Sequence, residues 1–403
     1  MAIPPGGPLT TRGRAALALG AATYLVAWAL GSRPLYPAAV GLLLAVLLSW
    51  LSVRVTARPL ALRRRLQAEP LEGDDVQVRV ELELESPVAP AGITLLERFA
   101  KLGERRTPLR RQGRYLWARY VIPAVPRGRY ALEEAVAVVE DPFGLERIEL
   151  PLGRQEALVV YPRLVELDRL FSEAGVHARE GRRLLLQRPT GFDLHSVRDY
   201  VEGDSLRKVH WRTTARRGHL MVKELEDSPR DELAVVLDAH RAFSRDAFDA
   251  AVRAAGSIVQ AYARRGRRAS LVVGGAALQV QRVHAEGDWR RAFELLAAAE
   301  ADGSDAPERL LGGDRNPAGL ALDLVVVTPR LEPGLVERLI QRAAARRNTA
   351  VVWIDVASFA GRPSREPALL RLQSAGVPVA VLRRGDDLGR ALGAAQFAEA
   401  AHA

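Results

Sequence analysis

Cysteine is absent from all 403 residues, which excludes disulfides, thiolate zinc fingers, iron–sulfur centres and cysteine nucleophiles. The usual catalytic signatures are missing as well. There is no Gly-rich loop closing on Gly-Lys-Ser/Thr, no Gly-x-Ser-x-Gly elbow, no His-Glu-x-x-His and no Gly-x-Gly-x-x-Gly. The histidines, His177, His195, His210, His219, His240, His284 and His402, include no pair at the i, i+4 spacing of a helical metal-ligand set. Internal repeats and low-complexity tracts are lacking too. These absences argue against an enzyme, and no cofactor is expected.

What is present begins with two long uncharged runs, Ala15 to Ser32 and Pro34 to Val53. Each is close to the roughly 20 residues that cross ~30 Å of hydrocarbon as a helix. Pro34 and Pro37 mark the junction, and Trp28, Tyr36 and Trp50 lie toward segment ends, where amphipathic rings suit the interface. The pattern predicts a transmembrane hairpin within residues 1–60, with spans at 15–32 and 35–53. Arg12 and Arg14 precede the first run and Arg54, Arg58, Arg63, Arg64 and Arg65 follow the second, against Arg33 alone between them. The positive-inside rule then places both termini and the soluble part in the cytoplasm, in a multi-pass inner or plasma membrane protein. The alternative for the first run, a cleaved signal peptide, fits less well because a second run follows at once. Membrane lipid is accordingly an expected partner, with the Arg63 to Arg65 cluster resting on anionic headgroups.

Strict alternation over Val76 to Glu85 reads as a half-buried strand. Runs at Ile93 to Phe99, Tyr115 to Ile122, Tyr130 to Val139 and Leu158 to Tyr161, punctuated by Gly and Pro, predict a small β-sandwich over 66–165. From Asp231 the grammar changes. Leu233 to Leu237 is a continuous apolar run ending at Asp238, as in parallel strands buried on both faces. A helix follows, capped by Ser244, with Phe248, Val252, Ala255, Val259 and Tyr262 at helical spacing.

Further strands at Ala269 to Val273, Leu278 to Val283, Leu322 to Thr328, Ala350 to Ile354 and Val377 to Leu382 alternate with helices. The helices are expected near Trp289 to Ala301, Pro333 to Arg346, Glu366 to Ser374 and Leu388 to Ala401. Residues 231–403 therefore predict an open α/β sheet. The Gly- and Asp-rich stretch Gly303 to Pro317 is expected to be a mobile loop, and 171–230 a polar connector.

The connector carries the densest polar cluster: Arg198-x-Tyr200-x-x-Gly203-Asp204, then Arg207-x-x-x-Trp211, Ala215-Arg216 and Leu220-x-Val-Lys-Glu224. This resembles the signature of the domain of unknown function 58 (DUF58) family, and Arg127-Gly-Arg-Tyr130 and Asp141-Pro-Phe-Gly-Leu145 match two weaker signatures upstream. The resemblance implies a bacterial membrane protein with a hairpin, a β-rich region and a von Willebrand factor A-like α/β domain. It also implies a MoxR-type AAA+ ATPase and a transglutaminase-like membrane protein as partners. The sequence departs from the family pattern in reading Tyr200-Val-Glu-Gly-Asp204 where Tyr-x-Pro-Gly-Asp is usual, and in placing His210 before the tryptophan.

Arginines interleaved with Asp199, Glu202 and Asp204 can form bidentate networks. The cluster reads first as a buried network pinning the connector, then as a docking surface, and last as a catalytic or phosphate site. A von Willebrand A domain can hold a divalent metal on an Asp-x-Ser-x-Ser loop. Here the loop reads Asp238-Ala-His240-Arg-Ala242, with both hydroxyls gone and Arg241 beside the first carboxylate. No metal site is expected, and Asp238 should cap a helix or pair with an arginine. Asp193 and His195 beside Ser196 offer a weak acid–base trio. The formal charge of +10 raises nucleic-acid binding, and Arg264, Arg265, Arg267 and Arg268 beside Tyr262 form the one suggestive patch; no basic helix carries interleaved aromatics, and no nucleic acid is expected. Taken together, the residues and the resemblance predict a non-enzymatic, membrane-tethered cytoplasmic scaffold that docks the ATPase. The rivals are a metal-dependent ligand-binding module and a hydrolase.

Overall fold

The computed structural model describes residues 9–56, 61–83, 92–113, 115–153, 156–167, 194–201, 209–225, 233–284, 286–313 and 316–393. The chain divides into two compact units, Met1–Tyr161 and Pro162–Ala403.

Unit 1 opens with α1 (Thr11–Leu30) and α2 (Leu35–Thr56). The first helix starts ahead of the apolar run because Thr10 caps it, its hydroxyl accepting from the Gly13 N–H at 3.0 Å. It stops at Gly31, whose left-handed φ of 63° lets its N–H reach back to the last-turn carbonyls. The helices pack closely at Gly20, where a Cβ would lie 3.0 Å from the Leu43 side chain. Both are long and apolar enough to cross a membrane, and large apolar side chains such as Leu25, Trp28, Leu30, Leu48 and Leu51 face outward.

Among the described residues ten strands follow: β1 (Ala61–Leu66), β2 (Val76–Glu83), β3 (Gly92–Phe99), β4 (Gly103–Pro108), β5 (Arg110–Gln112), β6 (Tyr115–Ile122), β7 (Gly128–Leu132), β8 (Val136–Glu140), β9 (Arg147–Pro151) and β10 (Glu156–Val160). They form two antiparallel sheets, one ordered β1-β2-β6-β5 and the other β10-β7-β3-β8-β9 with β4 on β3. Val76, Val78, Val80 and Leu82 alternate inward from β2 and share one core with Leu95, Tyr130, Leu132 and Leu158 of the second sheet. Val53, in the last turn of α2, enters that same core.

Three sequence expectations change here. The run from Tyr130 to Val139 is two strands, since Glu133 and Glu134 fall in the break between β7 and β8. The weakly patterned strands β1, β4, β5 and β9 were not expected. Nor does the Arg63 to Arg65 cluster act as a unit. Because β1 alternates, Arg64 points inward, where its Nε donates to Glu97 Oε1 at 2.8 Å and its Nη1 pairs with Glu156 at 3.2 Å. The Tyr120 hydroxyl donates to the other Glu97 oxygen, and burial, reinforced by that carboxylate, pushes the Tyr120 pKa well up. The cluster joins the two sheets from inside, because Arg64 and Tyr120 belong to one sheet and Glu97 to the other.

Unit 2 contains the hairpin β11 (Leu194–Asp199) and β12 (Met221–Leu225), with α3 (Trp211–Arg217) between them in the chain. Its centre is a six-stranded sheet. The strands are β13 (Leu233–Asp238), β14 (Ala269–Gly274), β15 (Leu278–Val283), β16 (Asp323–Thr328), β17 (Asn348–Ile354) and β18 (Val379–Leu382), in the order β15-β14-β13-β16-β17-β18. All neighbours are parallel except the edge pair β14 and β15. Every residue of β13 and β14 is buried, as a central strand covered on both faces requires.

The flanking helices are α4 (Arg245–Ala263), α5 (Glu286–Ala298), α6 (Pro317–Leu320), α7 (Pro333–Ala344), α8 (Val356–Phe359), α9 (Pro367–Ser374) and α10 (Leu388–Gly393). One core holds α4 and α5, and another holds α6, α7 and α9, so helices cover both faces. Ser244 takes the N-cap position of α4, although its hydroxyl makes no capping bond. The loop expected to be mobile is held instead. It carries a 3-10 helix (Pro307–Leu311) whose Leu310 and Leu311 are buried, and Asn316 ties its end by donating to Leu310 O at 2.7 Å.

Candidate functional site

Two places in unit 2 gather the residues that the sequence singled out. The first is the carboxyl edge of the sheet between β13 and β16. Strand order reverses there, leaving a crevice of the kind where open α/β sheets hold ligands. Asp238 ends β13 and is 1% exposed. Its Oδ2 accepts from the Thr328 hydroxyl at 2.7 Å, at the end of the adjacent β16. Arg330 lies across the same carboxylate, with Nη2 3.3 Å from Oδ1 and Nε 3.4 Å from Oδ2. The guanidinium also donates to Glu332 Oε1 at 2.8 Å and to the Asp305 carbonyl at 2.9 Å.

Arg330 is thus a tethered cation at the strand ends whose counter-charges come from its own chain. A looser pair follows β17, with its arginine largely exposed. Asp355, after β17, accepts from the Ser358 N–H at 3.1 Å and lies 3.5 Å from Arg383 Nε.

The loop after Asp238 is pinned by backbone. Gly303 N–H donates to Ala239 O at 2.9 Å, and Arg241 N–H donates to Gly303 O at 3.0 Å. A Cβ on Gly303 would lie 2.5 Å from the Gly274 carbonyl, so a side chain does not fit. His240 Nδ1 accepts from the Ala242 N–H at 3.1 Å. Partial burial, with the charge of Arg330 second, holds the His240 pKa below its ordinary range, so the imidazole is neutral at pH 7. Among the described residues no three His, Asp or Glu side chains gather as a metal set.

The second place is the family-like signature. Backbone pairing sets its frame: Arg198 opposes Val222 and Asp199 opposes Met221 across β11 and β12. Tyr200 N–H donates to Leu220 O at 2.9 Å, and His210 N–H to Met221 O at 2.8 Å. His210 caps α3 by accepting from the Thr213 N–H. The helix ends at Gly218 with φ 77°.

No residue of α3 is buried. Trp211 is 67% exposed; Ala215 lies one turn on along the same face, with Arg212 and Arg216 alongside, all three exposed. His219 Nε2 lies 2.9 Å from Asp199 at the surface. Of the remaining signature positions, Gly203, Asp204 and Arg207 lie outside the described residues, as do Asp193 and the side chains of His195 and Arg198. In the part that is described, α3 is a surface element.

The remaining basic patch is engaged with its own unit. Arg264 pairs with Glu166, Arg265 donates to Leu167 O at 3.0 Å, and Arg267 stacks on buried Tyr262 at 5.6 Å from the ring centroid.

The fold and site define a mixed α/β protein with an arginine-occupied sheet edge and an exposed Trp–Arg helix, behind two apolar N-terminal helices. Comparison with known proteins agrees with the motif reading over part of the chain. Residues 196–357 match a family described as protein of unknown function DUF58. That span takes in the described signature and the sheet from β13 to β17, and leaves unit 1 outside. The uncharacterized protein YeaD of Bacillus subtilis (strain 168) is 29% identical over 219 residues, 53% of each chain. The chain therefore spans about half the length of this curated relative. A conjugative transposon lipoprotein from Bacteroides eggerthii aligns with 25% of this chain and 97% of its own at 17% identity, with a TM-score of 0.16, too low to bear on the fold.

Proposed function

We propose that this chain is a membrane-tethered cytoplasmic scaffold that offers the α3 surface to a protein partner. The observation that carries the reading is Trp211 exposed beside Arg212 and Arg216. Tryptophan and arginine are the side chains that most often dominate binding energy at protein interfaces. The net positive charge of the helix selects a partner with an acidic face. The family resemblance supplies the candidate, a MoxR-type AAA+ ATPase, with a transglutaminase-like membrane protein in the same assembly.

Tethering rests on α1 and α2. Their outward apolar side chains make a contiguous surface that water disfavours and hydrocarbon accepts, and the arginines flanking the pair set the cytoplasmic orientation. The von Willebrand A-like reading of unit 2 rests on the strand order, with its one antiparallel edge strand and an aspartate ending the first strand. In this reading Arg330 stands where a module of that kind would hold a divalent cation.

The test is affinity capture of full-length chain from native membranes, comparing wild type with Trp211→Ala and Arg216→Glu. The expected result is an AAA+ ATPase with wild type and its loss with both variants. Equal recovery by all three removes the docking role. The metal-module alternative draws on the Asp238 carboxylate and Thr328 hydroxyl meeting at the sheet edge. Calorimetric titration with magnesium decides it: saturable binding abolished by Asp238→Ala would favour that alternative.

A further inference from the structure

The turn between β8 and β9 lies against the helix pair. Asp141 begins it and is almost fully buried. Its Oδ2 accepts from the Ser49 hydroxyl of α2 at 3.0 Å and from the Phe143 N–H at 2.8 Å, while Oδ1 accepts from the Glu146 N–H at 2.7 Å. From the other helix, the Thr10 hydroxyl donates to Gly144 O at 2.7 Å and to Leu145 O at 2.9 Å, and the Thr10 N–H reaches Leu145 O at 3.2 Å. Gly13 admits the approach, since a Cβ there would lie 2.1 Å from Leu145 O. The turn is therefore clasped by both helices at one level.

That level has interfacial chemistry. Ser49 lies seven residues before the end of α2, about 10 Å along the axis. Trp50 is next to it, with the Arg54 guanidinium 4.8 Å from its ring centroid. Arg12 and Arg14, both exposed, flank Gly13. Tryptophan and arginine at the ends of apolar helices mark the headgroup zone. Into that zone the clasped turn brings one large side chain with nothing over it: Phe143 is 70% exposed.

We infer that the Asp141–Leu145 turn is a lipid-contacting element, in which Phe143 inserts into the headgroup–acyl boundary beside α1 and α2 while Arg12 and Arg14 meet anionic headgroups. The inference rests on the reading of the helices as membrane-spanning. It adds that the β-sheet unit is fixed against the bilayer by a hydrogen-bonded clasp and an aromatic wedge, rather than hanging from a free linker. A phenyl ring gains by leaving water, and the carboxylate of Asp141 keeps the backbone of the turn satisfied at that depth.

The cysteine-free sequence makes the test clean, because any introduced thiol is unique. Full-length Phe143→Cys, Leu25→Cys and Val121→Cys variants would carry an environment-sensitive fluorophore in vesicles of phosphatidylcholine and phosphatidylglycerol. A nitroxide placed near the head of the acyl chain is the quencher. Leu25 lies in the first apolar helix, and Val121 is exposed on β6. The expected result is quenching at 143 at least as strong as at 25, none at 121, and loss of the 143 signal when Ser49→Ala or Asp141→Asn is added. Quenching at 25 without quenching at 143 overturns the inference and leaves the anchor standing; no quenching at 25 overturns both. Quenching at 143 that survives both clasp variants overturns the clasp as its cause.

Discussion

The sheet edge at Asp238 and the helix α3 use the same residue types to opposite ends. At the edge, Arg330 is mostly buried and spends its donors on Asp238, Glu332 and a backbone carbonyl. On α3, Arg212 and Arg216 lie exposed beside an uncovered tryptophan. An arginine whose donors are met inside a fold holds that fold together, whereas one presented on a rigid helix beside an aromatic ring is available to something else. The buried Arg64 cluster of unit 1 follows the edge and not the helix.

The contrast breaks most visibly at the buried pair. Arg330→Met removes the charge and leaves Asp238 uncompensated, which should cost unit 2 about 3–5 kcal/mol, read as a lower denaturation midpoint with unchanged m-value. Adding Asp238→Asn to it should recover part of that loss, because the buried charge goes with its partner. Next in size is Gly303→Ala. Its Cβ would meet three backbone carbonyls at 3.3 Å or less, and backbone cannot yield as a side chain can, so a loss of about 1–3 kcal/mol is expected by the same measurement.

A smaller effect separates two carboxylates of unit 1. Burial opposes ionisation of Asp141, but the Glu146 and Phe143 N–H groups and the Ser49 hydroxyl outweigh it, so its pKa lies below the ordinary aspartate range. Burial raises Glu146, with Arg54 opposing and Asp141 adding to the rise. Among the described residues neither Glu146 carboxylate oxygen has a hydrogen-bond partner. A raised carboxyl weakens the fold while ionised, so acidification from neutral pH through the raised Glu146 pKa should stabilise unit 1. Further acidification through the depressed Asp141 pKa should then destabilise it. Thermal melts across that range should show a maximum, and Glu146→Gln should abolish the rising limb alone.

The smallest change in stability is expected at the exposed helix. Trp211→Ala should shift the unfolding free energy by no more than about 0.5 kcal/mol while removing partner capture. A large destabilisation there would mean that the indole belongs to the fold, and the comparison with Arg330 would fail.

Much of this was readable along the chain wherever a pattern repeats locally. The alternation of β2, the continuous apolar runs of β13 and β14 and the spacing along α4 set those elements to within a residue or two, and the two uncharged stretches set α1 and α2 to within four. Strands without such a pattern were invisible: β4 reads Gly-Glu-Arg-Arg-Thr-Pro, lies largely exposed and exists by pairing with β3. The Gly303 to Pro317 stretch misled because its composition says loop, while Leu310 and Leu311 bury themselves.

The sequence by itself determined the strongly patterned helices, strands and lipid-compatible runs, because period and apolar run length are properties of neighbouring residues. It also marked Asp238 and Trp211 as unusual. Only the tertiary structure decided what each does. Asp238 meets an arginine 92 residues away, and Ser49 meets Asp141 across an equal distance in the chain. Trp211 keeps its face open because nothing on the described chain folds over it. Such pairings depend on where strand ends and turns arrive after the sheets close, and no local period encodes that arrival.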